Sequence, residues 1–216
     1  MSISAREEIL QRIRTALPGQ PSSPEASHAA IERNYFRKGT FDRHAVLELF
    51  VDRLVDYDTD VIQLEGPSLI AQSVADSLHK TGEERLIIGP GLPPEWIPGG
   101  IELIVDEHLS TEEIDRAQVV LTTCEAAVAA TGTIFLVHGG AQGRRAPTLL
   151  PDHHICIVRR NQVYELVPEA LAALAPFHKQ PITSISGPSA TADIEMNRIR
   201  GVHGPRRLTV ILYGEY

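Results

Sequence analysis

Three stretches of this 216-residue chain hold residue types that chemistry requires. In residues 122–133, TTCEAAVAATGT, one carboxylate, Glu125, and the hydroxyls of Thr131 and Thr133 sit among alanines and a glycine. Small residues let backbone approach a ligand, and Gly132 tolerates dihedrals closed to other residues. Glu125 is therefore a candidate general base, nucleophile or hydrogen-bond acceptor; the same residues also read as a short helix, one exposed glutamate and a tight turn. Residues 184–195, SISGPSATADIE, read as a strand entering a Ser/Gly/Thr loop that leads into a helix. Such a loop offers hydroxyls and free N–H groups at Ser186, Gly187, Ser189 and Thr191 to a phosphate or carboxylate. Asp193 or Glu195 at the helix start would border that site or cap it structurally. In residues 201–207, GVHGPRR, His203 is a candidate acid, base or donor to a carboxylate, with Arg206 and Arg207 as an anion clamp; Gly-Pro also makes an ordinary turn before a strand.

Other constellations carry less. Asp152-His153-His154 invites a metal reading, but neighbouring histidines on a strand point to opposite faces and cannot share one ion; no metal is expected. Arg144-Arg145 after the run GGAQG (139–143) can touch an anion or sit solvated on a glycine-rich loop. The chain lacks the lysine of a P-loop and the three-glycine dinucleotide spacing. Its two cysteines, Cys124 and Cys156, offer neither a disulfide framework nor a cluster of thiolates, so no cofactor is expected and the compartment reads as reducing.

A net charge of −8 argues against nucleic acid as partner. Its distribution is uneven: residues 1–140 hold 11 Lys and Arg against 22 Asp and Glu, net −11, whereas 141–216 hold nine against six, net +3. A small anionic ligand or an acidic partner would find the C-terminal third favourable, and solvated arginines account for it equally well.

The elements that must position these loops alternate in type. Ser4 stands three before Glu7, a capping-box spacing, and Ile9, Ile13 and Leu17 follow at helical intervals until Pro18-Gly19. Residues 18–24 are rich in Pro, Gly and Ser, so this first helix reads as an arm on a flexible tether, with residues 1–40 apart from a domain over 41–216. Beyond it, Val46, Leu47, Phe50 and Leu54 share one helical face, as do Ile70, Val74 and Leu78 before Gly82. Short β-branched runs at 61–64, 86–88, 103–105, 119–121, 134–137, 155–158 and 208–212 separate them. The pattern predicts one α/β fold, an open, mainly parallel sheet flanked by helices with ligands at the carboxyl ends of its strands. No apolar run reaches bilayer-spanning length, and a soluble cytoplasmic protein is expected.

Taken together and in this order, AREEILQRIR (5–14), Glu125 followed by TGT (131–133), LPDHHI (150–155), SGPSATADIE (186–195) and GVHGP (201–205) resemble the lactate utilisation protein C family, whose members carry the LUD domain. The resemblance implies a fold related to the sugar-phosphate isomerase (NagB/RpiA) and CoA-transferase superfamily. It also implies a role in oxidising lactate to pyruvate beside an iron-sulfur, ferredoxin-like protein and a cysteine-rich oxidoreductase subunit, this chain being the accessory or substrate-handling component. The rival is a stand-alone enzyme of CoA-transferase type with Glu125 as nucleophile, although CEAA (124–127) departs from the Ser-Glu-Asn-Gly pattern of those enzymes.

Two distant cysteines cannot supply a four-thiolate site within one chain. The purified protein is therefore expected to be colourless, with iron well below one atom per chain by elemental analysis; a visible absorbance band with matching iron would refute this.

Overall fold

A run of β-branched residues with no polar interruption suits a strand buried on both faces, and the chain uses several such runs to build one sheet. The computed structural model describes residues 4–17, 28–191, 199–200 and 204–215. The chain falls into two compact units, residues 1–35 and 36–216. In the first, helix α1 (Ala5–Ala16) opens on the capping box read from the sequence: Ser4 Oγ accepts from the Glu7 N–H (3.3 Å) while the Ser4 N–H donates to Glu7 Oε2 (3.0 Å). Ile9, Ile13 and Leu17 are about half exposed, at 58%, 49% and 51%.

The second unit holds α2 (Arg43–Asp56), β1 (Asp60–Leu64), α3 (Ile70–Thr81), β2 (Arg85–Ile88), β3 (Glu102–Val105), α4 (Thr111–Asp115) and β4 (Val119–Thr123). There follow β5 (Ala126–Val128), β6 (Thr133–Val137), β7 (His153–Arg159), β8 (Val163–Tyr164), α5 (Val167–Leu174), β9 (Ile182–Ser186), β10 (Ala190–Thr191), β11 (Ile199–Arg200) and β12 (Arg207–Tyr213). Six strands form an all-parallel sheet in the order β1-β12-β7-β4-β2-β3. One face meets α3, whose Ile70, Val74 and Leu78 pack with Leu86, Leu121, Ile155 and Ile211 around Trp96. As the sequence indicates, α3 ends at Gly82 in the left-handed conformation (φ 67°).

The opposite face is covered differently from what the sequence suggests. A second, four-stranded sheet, β8-β5-β6-β9, lies over it with α2, so that Phe50, Leu54, Ala127, Ile134 and Leu136 share one core with Cys156, Val158, Leu208, Val210 and Leu212. The outer face of this small sheet is closed by α5 through Ala170 and Leu174 against Val128 and Phe135. At the far end of the main sheet α4 buries Ile114 on Ile87 and Val120.

Ala190–Thr191 pairs antiparallel with Ile199–Arg200. The chain is therefore extended at Thr191, where the sequence reading places the approach to a helix. Residues 192–198, with Asp193 and Glu195, lie outside the described residues.

The turn leaving β9 is pinned to α2. Gly187 has φ +79°, and a Cβ there would stand 2.6 Å from Tyr57 Cβ, at the C-cap of α2. An alanine would combine an unfavourable left-handed backbone with a backbone-anchored clash. Gly187→Ala is expected to lower unfolding stability by about 2–3 kcal/mol in chemical denaturation; a loss below about 0.5 kcal/mol would show that the turn is not held there.

Candidate functional site

Strand β9 passes alongside the amino-terminal ends of β7 and β12, and the space between the two sheets is a pocket of about 270 Å³. Its floor is His154 and Leu208, the second residues of their strands. Ser184, Ser186 and Ser189 form one wall, and the turn carrying Arg145 and Thr148 forms another. The pocket thus opens at the amino ends of the parallel strands, not at the carboxyl ends to which the fold class directs attention. The second sheet is the cause, because β9 approaches the main sheet at that end.

His153 and His154 diverge as strand geometry requires. His153 Nδ1 lies 2.8 Å from Glu83 Oε2 and its Nε2 lies 2.9 Å from Thr209 Oγ1. Burial alone would raise the Glu83 carboxyl, but hydrogen bonds from His153 and Thr81 and the charges of His153 and Arg207 hold it below its usual value. His154 faces the other way, with Nε2 2.8 Å from Thr122 Oγ1. Only 2% exposed, its pKa is pushed down to about 3, by burial first and then by His153 and Arg145. At neutral pH the floor is an uncharged imidazole.

The adjacent arginines also part. Arg144 grips the buried Asp106 carboxylate through Nε and NH2, both at 2.7 Å, and donates a further bond to the Leu109 carbonyl. Arg145 turns to the pocket, where its NH1 donates to Thr148 Oγ1 (3.1 Å). Among the described residues no carboxylate pairs with it, and partial burial lowers its pKa, so an anion would be a welcome neighbour.

The loops chosen from sequence come together only in part. Thr131 Oγ1 lies 2.7 Å from Thr133 Oγ1, which lies 2.8 Å from Ser186 Oγ, so a chain of hydroxyls ties the β5–β6 turn to the end of β9. Ser186, Gly187 and Ser189 line the pocket, whereas Thr131, Gly132 and Thr133 do not. Gly132 serves a close approach, since a Cβ there would stand 3.0 Å from Arg53 Cβ on α2. Glu125 is apart from the pocket, at the carboxyl end of β4, where Gln142 Nε2 donates to its Oε2 (3.2 Å). Arg206 is exposed beside Asp152, 3.4 Å away, and does not line the pocket. Of Thr191 only the backbone is described, and Asp193 and His203 lie outside the described residues.

Sequence reasoning weighed His154 only as a metal ligand and Arg145 only as one of two loop arginines. The signal for Arg145 was the positive surplus after residue 140, but nothing local separated it from Arg144. Among the described residues no group of three or more His, Cys, Asp and Glu is placed to hold a metal ion.

The comparisons agree with this architecture. Residues 73–213 match the LUD domain family. Lactate utilization protein C of Deinococcus radiodurans is 41% identical over 216 residues, 97% of this chain and 96% of that protein. The protein of the same name from an Exiguobacterium species is 29% identical over 227 residues, 98% of this chain and 96% of that one. The crystal structure of a DUF162 family protein from Deinococcus radiodurans superposes with a TM-score of 0.71 at 38% identity, covering 81% of this chain and 100% of that one.

His154 makes the fold acid-sensitive. In the unfolded chain a histidine takes up its proton near pH 6.5, but the folded chain refuses it until about pH 3. Stability from this group is complete above pH 6.5 and falls as pH drops towards 3, by about 3 kcal/mol at pH 4. Denaturant unfolding at pH 7 and pH 4 is expected to show a smaller acid loss in His154→Gln than in the wild type, by about that amount; equal losses would contradict the neutral floor.

Proposed function

The chain belongs to the LUD domain family, and from that premise we propose that it is the accessory or substrate-handling component of a multi-subunit system that oxidises lactate to pyruvate. The observation that carries this reading is the pocket at the amino ends of β7 and β12, where Arg145 faces a wall of hydroxyls with no carboxylate partner among the described residues. A guanidinium there offers a two-pronged donor to the carboxylate that lactate and pyruvate share. The names of its relatives point to lactate utilisation.

Electron transfer falls to the partners, an iron-sulfur protein and a cysteine-rich oxidoreductase subunit, because this chain's two cysteines are both buried. Residues 1–40 act as arm and tether to the domain over 41–216, and the exposed stripe of Ile9, Ile13 and Leu17 on α1 is the surface offered to a partner. Among the described residues no helix is long and apolar enough to cross a membrane, and the reading places the assembly in the cytoplasm.

Extracts of cells lacking this chain are expected to lose lactate-dependent dye reduction and to regain it on addition of the purified wild-type protein. Arg145→Met, folded by circular dichroism, is expected to restore less than a tenth of it. Full restoration by that variant would remove the pocket from the function. Turnover of acyl-CoA donors by the chain alone, abolished in Glu125→Gln, would establish the CoA-transferase-type alternative instead.

A further inference from the structure

Arg145 is exposed, and a long exposed side chain keeps one place only if the backbone beneath it is fixed. That backbone belongs to neither an α-helix nor a strand: between the end of β6 at Val137 and the start of β7 at His153, the regular structure is two single 3-10 turns. Two supports reach it from other parts of the fold. Ala146 packs on the cluster of Ile87, Ile114 and Val120. Arg144, the residue before Arg145, closes a fork on Asp106, whose side chain is 1% exposed just beyond β3. We infer that Asp106 and Arg144 are positioning residues for Arg145, setting the place from which its guanidinium meets a carboxylate, a role that rests on reading the pocket as the site where the chain holds its ligand.

The fork has the geometry that such a role needs. Arg144 Nε donates to Oδ2 and NH2 to Oδ1, both at 2.7 Å, so the guanidinium plane is fixed in direction as well as distance. NH2 also donates to the Leu109 carbonyl, and Oδ1 accepts from the Leu109 N–H at 3.3 Å, which ties the corner before α4 to the same fork. On the pocket side Thr148 completes the turn. Its N–H and hydroxyl both donate to the Arg145 carbonyl, at 3.2 and 2.9 Å, and its Oγ1 accepts from Arg145 NH1. Adjacent Cα atoms are held about 3.8 Å apart across a trans peptide, so a shift at Arg144 is passed to the Arg145 backbone. A displacement of about 1 Å at a binding group costs affinity without unfolding the domain.

The test is titration of the full-length protein with sodium lactate at pH 7.5, followed by amide chemical shifts. The dissociation constant read in this way refers to the folded protein, so a variant that is merely less stable leaves it unmoved. Asp106→Asn and Arg144→Lys, the second keeping the charge but not the fork, are each expected to raise it about three- to tenfold, and Arg145→Met to raise it further. Unchanged dissociation constants in Asp106→Asn and Arg144→Lys, with Arg145→Met still weakened, would overturn the positioning role and leave the pocket standing. Absence of lactate binding in the wild type, or binding indifferent to Arg145→Met, would overturn the reading of the pocket and the positioning role with it. If Asp106→Asn fails to fold, Arg144→Lys, changed at the more exposed end of the pair, decides alone.

Discussion

A parallel sheet cannot leave a face in water, because its strands carry apolar side chains to both sides. Everything distinctive in this chain follows from how that demand is met. One face is covered by α3 in the ordinary way. The other is shared by α2, α4 and a second small sheet, of which β9 is an edge strand. Where β9 forms that edge, it stands beside the amino ends of β7 and β12, and the space left between them is the pocket. The site is thus a by-product of covering one sheet with another, which explains why it lies away from the strands' carboxyl ends.

Much of the main sheet was legible in the sequence because continuous β-branched runs and helical spacing are local signals. The stripe Ile70, Val74, Leu78 and its glycine stop are found where the pattern puts them. That the strands at 134–137 and 184–186 belong to a second sheet was not legible. Ala126–Val128 and Val163–Tyr164 are three and two residues long, too short for any period to declare itself, and their identity as strands comes from partners far along the chain. The stretch around Glu125 therefore read as a functional loop or a short helix, when much of it is a β-hairpin with Glu125 entering its first strand. The hydroxyl link from Thr133 to Ser186 shows that two chosen loops do meet, by pairing across β6 and β9.

Two pairs of identical neighbours shape the site, and sequence could not sort either pair. Arg144 is spent on the buried Asp106, and this bond anchors the turn from which Arg145 projects. His153 is spent on Glu83 and Thr209 at the opposite face of the sheet. In each pair one residue fixes the backbone and its neighbour faces the pocket. Strand alternation settles which histidine turns inward once the register is known. For the arginines the decision rests on a carboxylate 38 positions earlier in the chain, information that no local window contains.

The same accounting converts the positive surplus after residue 140 into something specific. Arg144 and Arg207 answer the buried carboxylates of Asp106 and Glu83. Arg159 donates to the Tyr213 hydroxyl, Arg160 to the carbonyls of Leu64 and Gly214, and Arg206 leans on Asp152 at the surface. These five arginines are therefore structural, holding strand ends and loop carboxylates in place. Among the described residues, what reaches the pocket is a single guanidinium, that of Arg145. Net charge by itself could therefore indicate the region but not which arginine faces the pocket.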